Sequence, residues 1–296
     1  MRDRVVAAFT GIQDAICKGL EELDGSARFV SDQWERPGGG GGDTRVIQNG
    51  AVFEKGGVNF SAVHGELPEA IAREFKSSST QFFASGVSIV LHPQSPMVPI
   101  IHMNIRYFEM PGDGRAWFGG GIDLTPIYVD HAQATGFHQT LKATCDRHHT
   151  DYYAKFKNWA DEYFYIKHRK ETRGIGGIFF DRLSDGNSLP LEAQFEFVKD
   201  VGNTFLKAYL PIATANKDLP FTEAEKNWQL LRRGRYVEFN LVYDRGTHFG
   251  LQTDGRIESI LMSLPTLASW QYNIIPEAGS REEETINYLK GKTEWV

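Results

Sequence analysis

Cysteine is nearly missing: Cys17 and Cys145 are the two in 296 residues, which excludes a disulfide framework and zinc-ribbon spacing. A reducing, intracellular setting is expected, with the cytoplasm as compartment. An excess of basic charge is missing too. Lys and Arg number 32 against 38 Asp and Glu, a formal charge of −6, and a phosphate backbone needs a basic surface or a strong basic patch, so nucleic acid is not the expected partner. Residues 77–105 contain no Asp, Glu, Lys or Arg, but Pro93, Pro96 and Pro99 interrupt them. That pattern predicts a buried hairpin and no transmembrane segment. The N-terminal stretch has apolar residues at helical spacing but carries Asp3, Asp14, Glu21 and Glu22, wrong for a transit peptide, so the fold is expected to begin at once.

Common motifs are absent as well. None of the glycine runs satisfies G-x-G-x-x-G, there is no H-E-x-x-H and no G-x-S-x-G, and Gly291-Lys292-Thr293 has Ile286 where a phosphate loop needs its first glycine. No fixed-period repeat and no Pro or Ser linker divides the chain, so one domain over residues 1–296 is expected.

What is present reads as α+β. Strands are predicted at 51–54, 58–63, 86–92, 98–108 and 116–127 with Gly, Pro and Asp between them, an antiparallel meander. A helical pattern runs over 131–169 and closes on Lys167, His168, Arg169 and Lys170 before Gly174. A short strand follows at 178–180, helices at 191–209 and 222–231, a strand at 236–243, and short helices at 257–263 and 281–289. Thr222 with Glu225 fits a capping box. The five glycines at 38–42 are expected to form no regular structure, either a surface loop or a ligand lid.

Three constellations carry possible chemistry. In a strand over 101–107, His102, Asn104 and Arg106 share one face and Ile101, Met103, Ile105 and Tyr107 the other. Ser88 and His92 share a face of the preceding strand. A solvated outer face is the competing reading of this polar row. Glu238, Asn240, Val242 and Asp244 alternate along the predicted strand at 236–243 and precede Arg245, which turn chemistry also explains. Gly119-Gly120-Gly121 next to Asp123 allows close approach of a ligand or marks a bulge. The histidines have no compact metal-ligand spacing.

Five blocks then carry a resemblance: FEKGGVNFS (53–61), HMNIRYF (102–108), WFGGGIDLTP (117–126), RGIGGIFFD (173–181) and GRYVEFNLVYDRGT (234–247). In this order, and over nearly the whole chain, they resemble the oxygen-dependent coproporphyrinogen III oxidases. The resemblance implies a homodimer whose large antiparallel sheet is flanked by helices on both faces. It implies haem biosynthesis: the propionates on rings A and B of coproporphyrinogen III become vinyl groups, giving protoporphyrinogen IX. O2 is the co-substrate, CO2 and H2O2 leave, and no organic cofactor is needed.

Such a substrate carries four carboxylates and requires forked cations, for which Arg106, Arg245 and Arg256 are the candidates, gathered at one pocket and supported by Ser88 and Asn104. Asp244 is assigned as the acceptor for the pyrrole N–H groups, with Asp123 and His102 exchanging protons and His102 as the family's proton donor. Gly255 and Arg256 match a substrate loop in which Asp254 replaces a usual glycine; a carboxylate there must point away from a propionate. Bacterial members imply a divalent metal on His92, His102, His138 and His168, although the cofactor-free chemistry does not require one. The glycines at 38–42 become a mobile element at the pocket mouth. A metal-dependent hydrolase or oxygenase, and a tetrapyrrole carrier, are the alternatives.

Overall fold

The computed structural model describes residues 1–67, 69–74, 79–183, 189–252 and 255–296. Helix α1 (Arg2–Asp24) precedes strands β1 (Val30–Glu35), β2 (Gly40–Gln48) and β3 (Phe53–Glu66). The short α2 (Glu69–Glu74) leads to β4 (Gln81–Pro93), β5 (Ile100–Met110) and β6 (Arg115–Thr125). Next come α3 (His131–Asp146), α4 (Tyr152–Tyr163), the two-residue strands β7 (Tyr165–Ile166) and β8 (Glu171–Thr172), and β9 (Gly177–Phe180). The C-terminal third holds α5 (Leu191–Asn216), α6 (Glu223–Val242), α7 (Arg245–Gln252), α8 (Ile257–Leu261) and α9 (Arg281–Lys290). Among these residues no helix is long and apolar enough to cross a membrane.

Six strands meander in chain order and β9 joins beside β6, giving an antiparallel seven-stranded sheet of order β1-β2-β3-β4-β5-β6-β9. The period-two pattern of β4 and β5 separates its faces. Val87, Ile89, Leu91, Ile101, Met103, Ile105 and Tyr107 are buried, packed with Val5, Phe9, Ile12 and Ile16 of α1 and Val198, Val201 and Phe205 of α5. Each such side chain contributes about 1.5–3 kcal/mol on burial, so this face supplies most of the core. Gly202 sets the spacing: a Cβ there would lie 2.7 Å from Ile12 and 3.0 Å from Ile105.

The second face is only partly apolar. At one end α6 places Trp228, Leu231 and Tyr236 against Val90, Ile100, Ile127 and Met262. Helix α4 packs along β9, with Phe156 on Phe180 and Tyr163 stacked on Phe179 at 4.1 Å, and so covers a sheet edge.

Several expectations are corrected. The predicted strand at 236–243 is the last part of α6. Polar residues two apart imitate strand alternation there, but the buried residues of the segment are Tyr236, Phe239 and Asn240, which is helical spacing. Gly234 does not stop the helix; it makes room for the Ser269 carbonyl, 2.6 Å from where its Cβ would stand. The helical pattern at 131–169 divides into α3 and α4, and the basic run 167–170 is the turn of the β7 and β8 hairpin, with Lys170 at φ 57°. The glycines at 38–42 are neither irregular throughout nor a free lid. Gly40, Gly41 and Gly42 belong to β2, paired with β3, and a Cβ on Gly42 would lie 2.5 Å from the Trp34 indole, so the missing side chains let that ring lie over the strand.

Candidate active site

Register places three polar lines side by side on the second face. One runs Asn59, Ser88, Asn104, Gly121 and Phe179. Its neighbours run Ser61, Gly86, Arg106 and Gly119, and Gly57, Val90, His102, Asp123 and Gly177. His102, Asn104 and Arg106 are each partly exposed while Ile101, Met103, Ile105 and Tyr107 are buried, so the alternation read from β5 is the alternation it has. Glycine beside Arg106, at 86 and 119, and beside Asn104, at 121, leaves bare backbone on which a broad, flat ligand can lie.

The Asp123 and Arg173 pair behind His102 is dry, each side chain 2% exposed. His102 Nδ1 lies 2.7 Å from Asp123 Oδ1, and Arg173 Nη2 donates to both Asp123 oxygens at 2.9 and 2.8 Å. Arg173 Nη1 donates to Asn240 at 2.8 Å, and its guanidinium sits 4.4 to 4.7 Å from the ring centres of Phe164, Tyr236 and Phe239. Desolvation pushes the Asp123 carboxyl upward, but the Arg173 charge and the His102 bond overcome it and hold it below the usual carboxylate range. An ionised Asp123 makes Nδ1 the protonated nitrogen of His102 and leaves Nε2 as its basic nitrogen, the orienting role a carboxylate plays behind an imidazole.

Asp244 follows α6 directly. Its Oδ1 accepts from Tyr163 Oη at 2.9 Å and its Oδ2 from the Thr247 N–H at 2.7 Å and hydroxyl at 2.8 Å. Burial again works against the charge; the Thr247 bonds, the nearby His102 and Tyr163 outweigh it and depress the pKa. Tyr163 in turn stacks on Phe179, at the end of the Asn104 line. Asp244 is thus an ionised acceptor held near the histidine, with one lone-pair direction left after three donors.

The cations do not gather at one point. Arg106 bonds Asn104 Oδ1 at 2.9 Å and pairs with Asp181 at 2.9 Å. Arg245 is exposed, its guanidinium 5.8 Å from the Tyr163 ring centre, and lines a cleft with Lys155, Phe156, Trp159, Asp181, Arg182 and Leu183. Arg256 caps α8 and pairs with Asp32 on β1, four strands from β5. Gly255 gives its N–H to Gly250 O at 2.8 Å, which leaves it no free donor for a carboxylate. Asp254 lies outside the described residues. Ser88 faces Asn104 across the ladder.

Comparison with known proteins decides among the alternatives. The family model for coproporphyrinogen III oxidase matches residues 4–295. The chain is 51% identical to the oxygen-dependent coproporphyrinogen-III oxidase, chloroplastic, of Glycine max over 96% of its own length and 77% of that protein. It is 50% identical to the oxygen-dependent coproporphyrinogen-III oxidase of Drosophila melanogaster over its whole length and 78% of that protein. The chain belongs to the coproporphyrinogen III oxidase family.

The metal suggested by bacterial oxidases of this family does not fit these histidines. His92 is fully buried and donates from Nε2 to Ser263 O at 2.8 Å. His138, also fully buried, lies between Tyr153 Oη and Ile175 O at 3.0 and 3.1 Å. His168 has both nitrogens engaged, by Tyr243 Oη and Glu238. Among the described residues no group of three His, Cys, Asp or Glu can hold an ion. Residues that the sequence reading left unassigned in the oxidase site are Arg173, Tyr163, Asn240 and Asp181. Arg173 and Asp181 stand at the two ends of a family block, and Asn240 lies inside another and in the alternating row before Arg245, without a role expected for it; Tyr163 had no signal of its own in a segment that reads as a single long helix.

Proposed function

We propose that this chain catalyses the oxygen-dependent oxidative decarboxylation of the ring A and B propionates of coproporphyrinogen III, forming protoporphyrinogen IX, CO2 and H2O2 in haem biosynthesis. The observation that carries this reading is the polar face of the sheet: ionised Asp123 orienting His102, ionised Asp244 beside it, and Arg106 a few residues along the same strand. A tetrapyrrole holds its carboxylates at opposite edges of a broad ring. Cations at separate points of one face suit it better than a single cluster does, so Arg106 and Arg245 bind propionates on the β5 to β9 side and Arg256 on the far side, once its bond to Asp32 is exchanged.

Asp244 accepts pyrrole N–H groups and favours loss of a pyrrole proton, which raises the electron density that reacts with O2. His102 Nε2 moves the proton at the reacting propionate, and Asp123 stabilises the imidazolium that forms. In this reading the enzyme works without an organic cofactor, as a cytoplasmic homodimer of single-domain subunits. Incubation with coproporphyrinogen III under air tests it. Protoporphyrinogen IX and CO2 are the expected products; binding without either product identifies a carrier instead.

A further inference from the structure

Arg106, the cation nearest His102 on β5, already holds a carboxylate. Its Nη2 lies 2.9 Å from Asp181 Oδ1 while Nη1 is held by Asn104. The pair lies flat on the sheet because position 119 has no side chain: a Cβ there would stand 2.6 Å from Asp181 Oδ1 and 2.9 Å from Arg106 Nε. Asp181 follows β9 and is presented by a strained turn. The next residue, Arg182, is in the left-handed region at φ 46° and gives its N–H to the same Asp181 oxygen at 3.0 Å. A non-glycine residue held in that region costs energy that the surrounding structure must sustain.

Two features separate this pair from a fixed structural bridge. Its side chains are 34% and 33% exposed, so water and competing anions reach it. Asp181 also lines the cleft that contains Lys155 and Arg245, cations toward which its carboxylate can turn when Arg106 is taken.

We propose that Asp181 is a resident stand-in for a substrate carboxylate: it keeps the Arg106 guanidinium oriented and charge-matched in the free protein, and a propionate of the tetrapyrrole displaces it on binding. The proposal rests on the reading of Arg106 as a propionate-binding residue. Asp181 is then a specificity-determining, positioning residue. Exchange of one carboxylate for another keeps the guanidinium paired throughout, while a ligand edge without a carboxylate offers Arg106 no replacement and leaves Asp181 in place. The pair therefore opens only for a charged edge, and Asp181 competes with the tetracarboxylate but not with the ester.

The test compares the full-length protein with Asp181→Asn, which keeps the shape and the acceptor for the Arg182 N–H but removes the competing charge. Coproporphyrin III, the oxidised tetracarboxylate, and its tetramethyl ester are titrated by fluorescence. The variant is expected to bind the tetracarboxylate about two- to fivefold more tightly, the scale of a partly exposed ion pair, with the ester unchanged. KM for coproporphyrinogen III falls by the same factor while kcat stays within about twofold. Asp181→Ser must show the same gain, which separates lost charge from a disturbed turn. Adding Arg106→Gln must abolish the gain, because the competition acts only through that guanidinium. Unchanged or weaker tetracarboxylate binding in both variants overturns the proposal, as does an equal gain for the ester. Wild-type protein that binds neither porphyrin instead removes the substrate reading, and this proposal with it.

Discussion

Two arginine and aspartate pairs lie on the same face of the same sheet at almost the same distance, Arg173 with Asp123 at 2.8 Å and Arg106 with Asp181 at 2.9 Å. They differ in water. The first pair is 2% exposed on both sides and the second 34% and 33%. A buried pair cannot lose one member without leaving an uncompensated charge, so Arg173 and Asp123 form a fixed support behind His102. A partly exposed pair is worth little and can be traded for another carboxylate. Equal geometry therefore serves two purposes, a permanent orienting unit at the proton-transfer end and an exchangeable one at the substrate-binding end.

The sharpest way to break this contrast is to truncate each arginine. Arg173→Ala is expected to lower unfolding stability by about 3–5 kcal/mol in urea titrations, whereas Arg106→Ala changes it by less than about 1 kcal/mol. Equal losses would show that burial does not distinguish the pairs. Asp244→Asn is expected to lower turnover on the order of a hundredfold while substrate still binds; full turnover in that variant removes Asp244 from the chemistry. In Arg106→Ala, KM for coproporphyrinogen III should rise about tenfold, the scale of a lost hydrogen bond to a charged group, with the smaller effect on kcat.

A separate effect, carried by histidines outside both pairs, is expected in the pH dependence of stability. Burial pushes both His92 and His138 down to about 3, whereas the unfolded chain protonates near pH 6.5. The unfolded state thus binds more protons below that value, and stability that is complete above about pH 6.5 is lost as the pH falls toward 3. From pH 7 to 5 each histidine should cost about 2 kcal/mol, measured as a falling urea midpoint. A midpoint that rises over this interval contradicts neutral, buried imidazoles.

Much of the candidate site was legible before any coordinates. The β5 row of His102, Asn104 and Arg106 follows from strand periodicity alone, and Asp123 was marked by its glycines. The α+β class and the antiparallel meander were legible for the same reason, since turn residues separate segments of clear alternation. Residues 236–243 differ from the expectation because polar side chains two apart fit a strand as well as a helix over so short a stretch. Arg173 reaches Asp123 from 50 positions away, a meeting that depends on β9 adding to the sheet after two intervening helices. The four histidines failed as a group for the matching reason: sharing a residue type does not bring side chains together, and His92 and His138 in the interior and His168 at the surface each have other partners.

His102→Gln tests the central claim most directly, with turnover of coproporphyrinogen III and affinity for coproporphyrin III measured on the same preparation. With the Arg106 end intact and the proton-transfer end disabled, kcat should fall by about 10² to 10⁴ and affinity should stay within about threefold of wild type. Unchanged turnover, or a loss of affinity as large as the loss of turnover, would contradict the division of the face into a fixed chemical end and an exchangeable binding end.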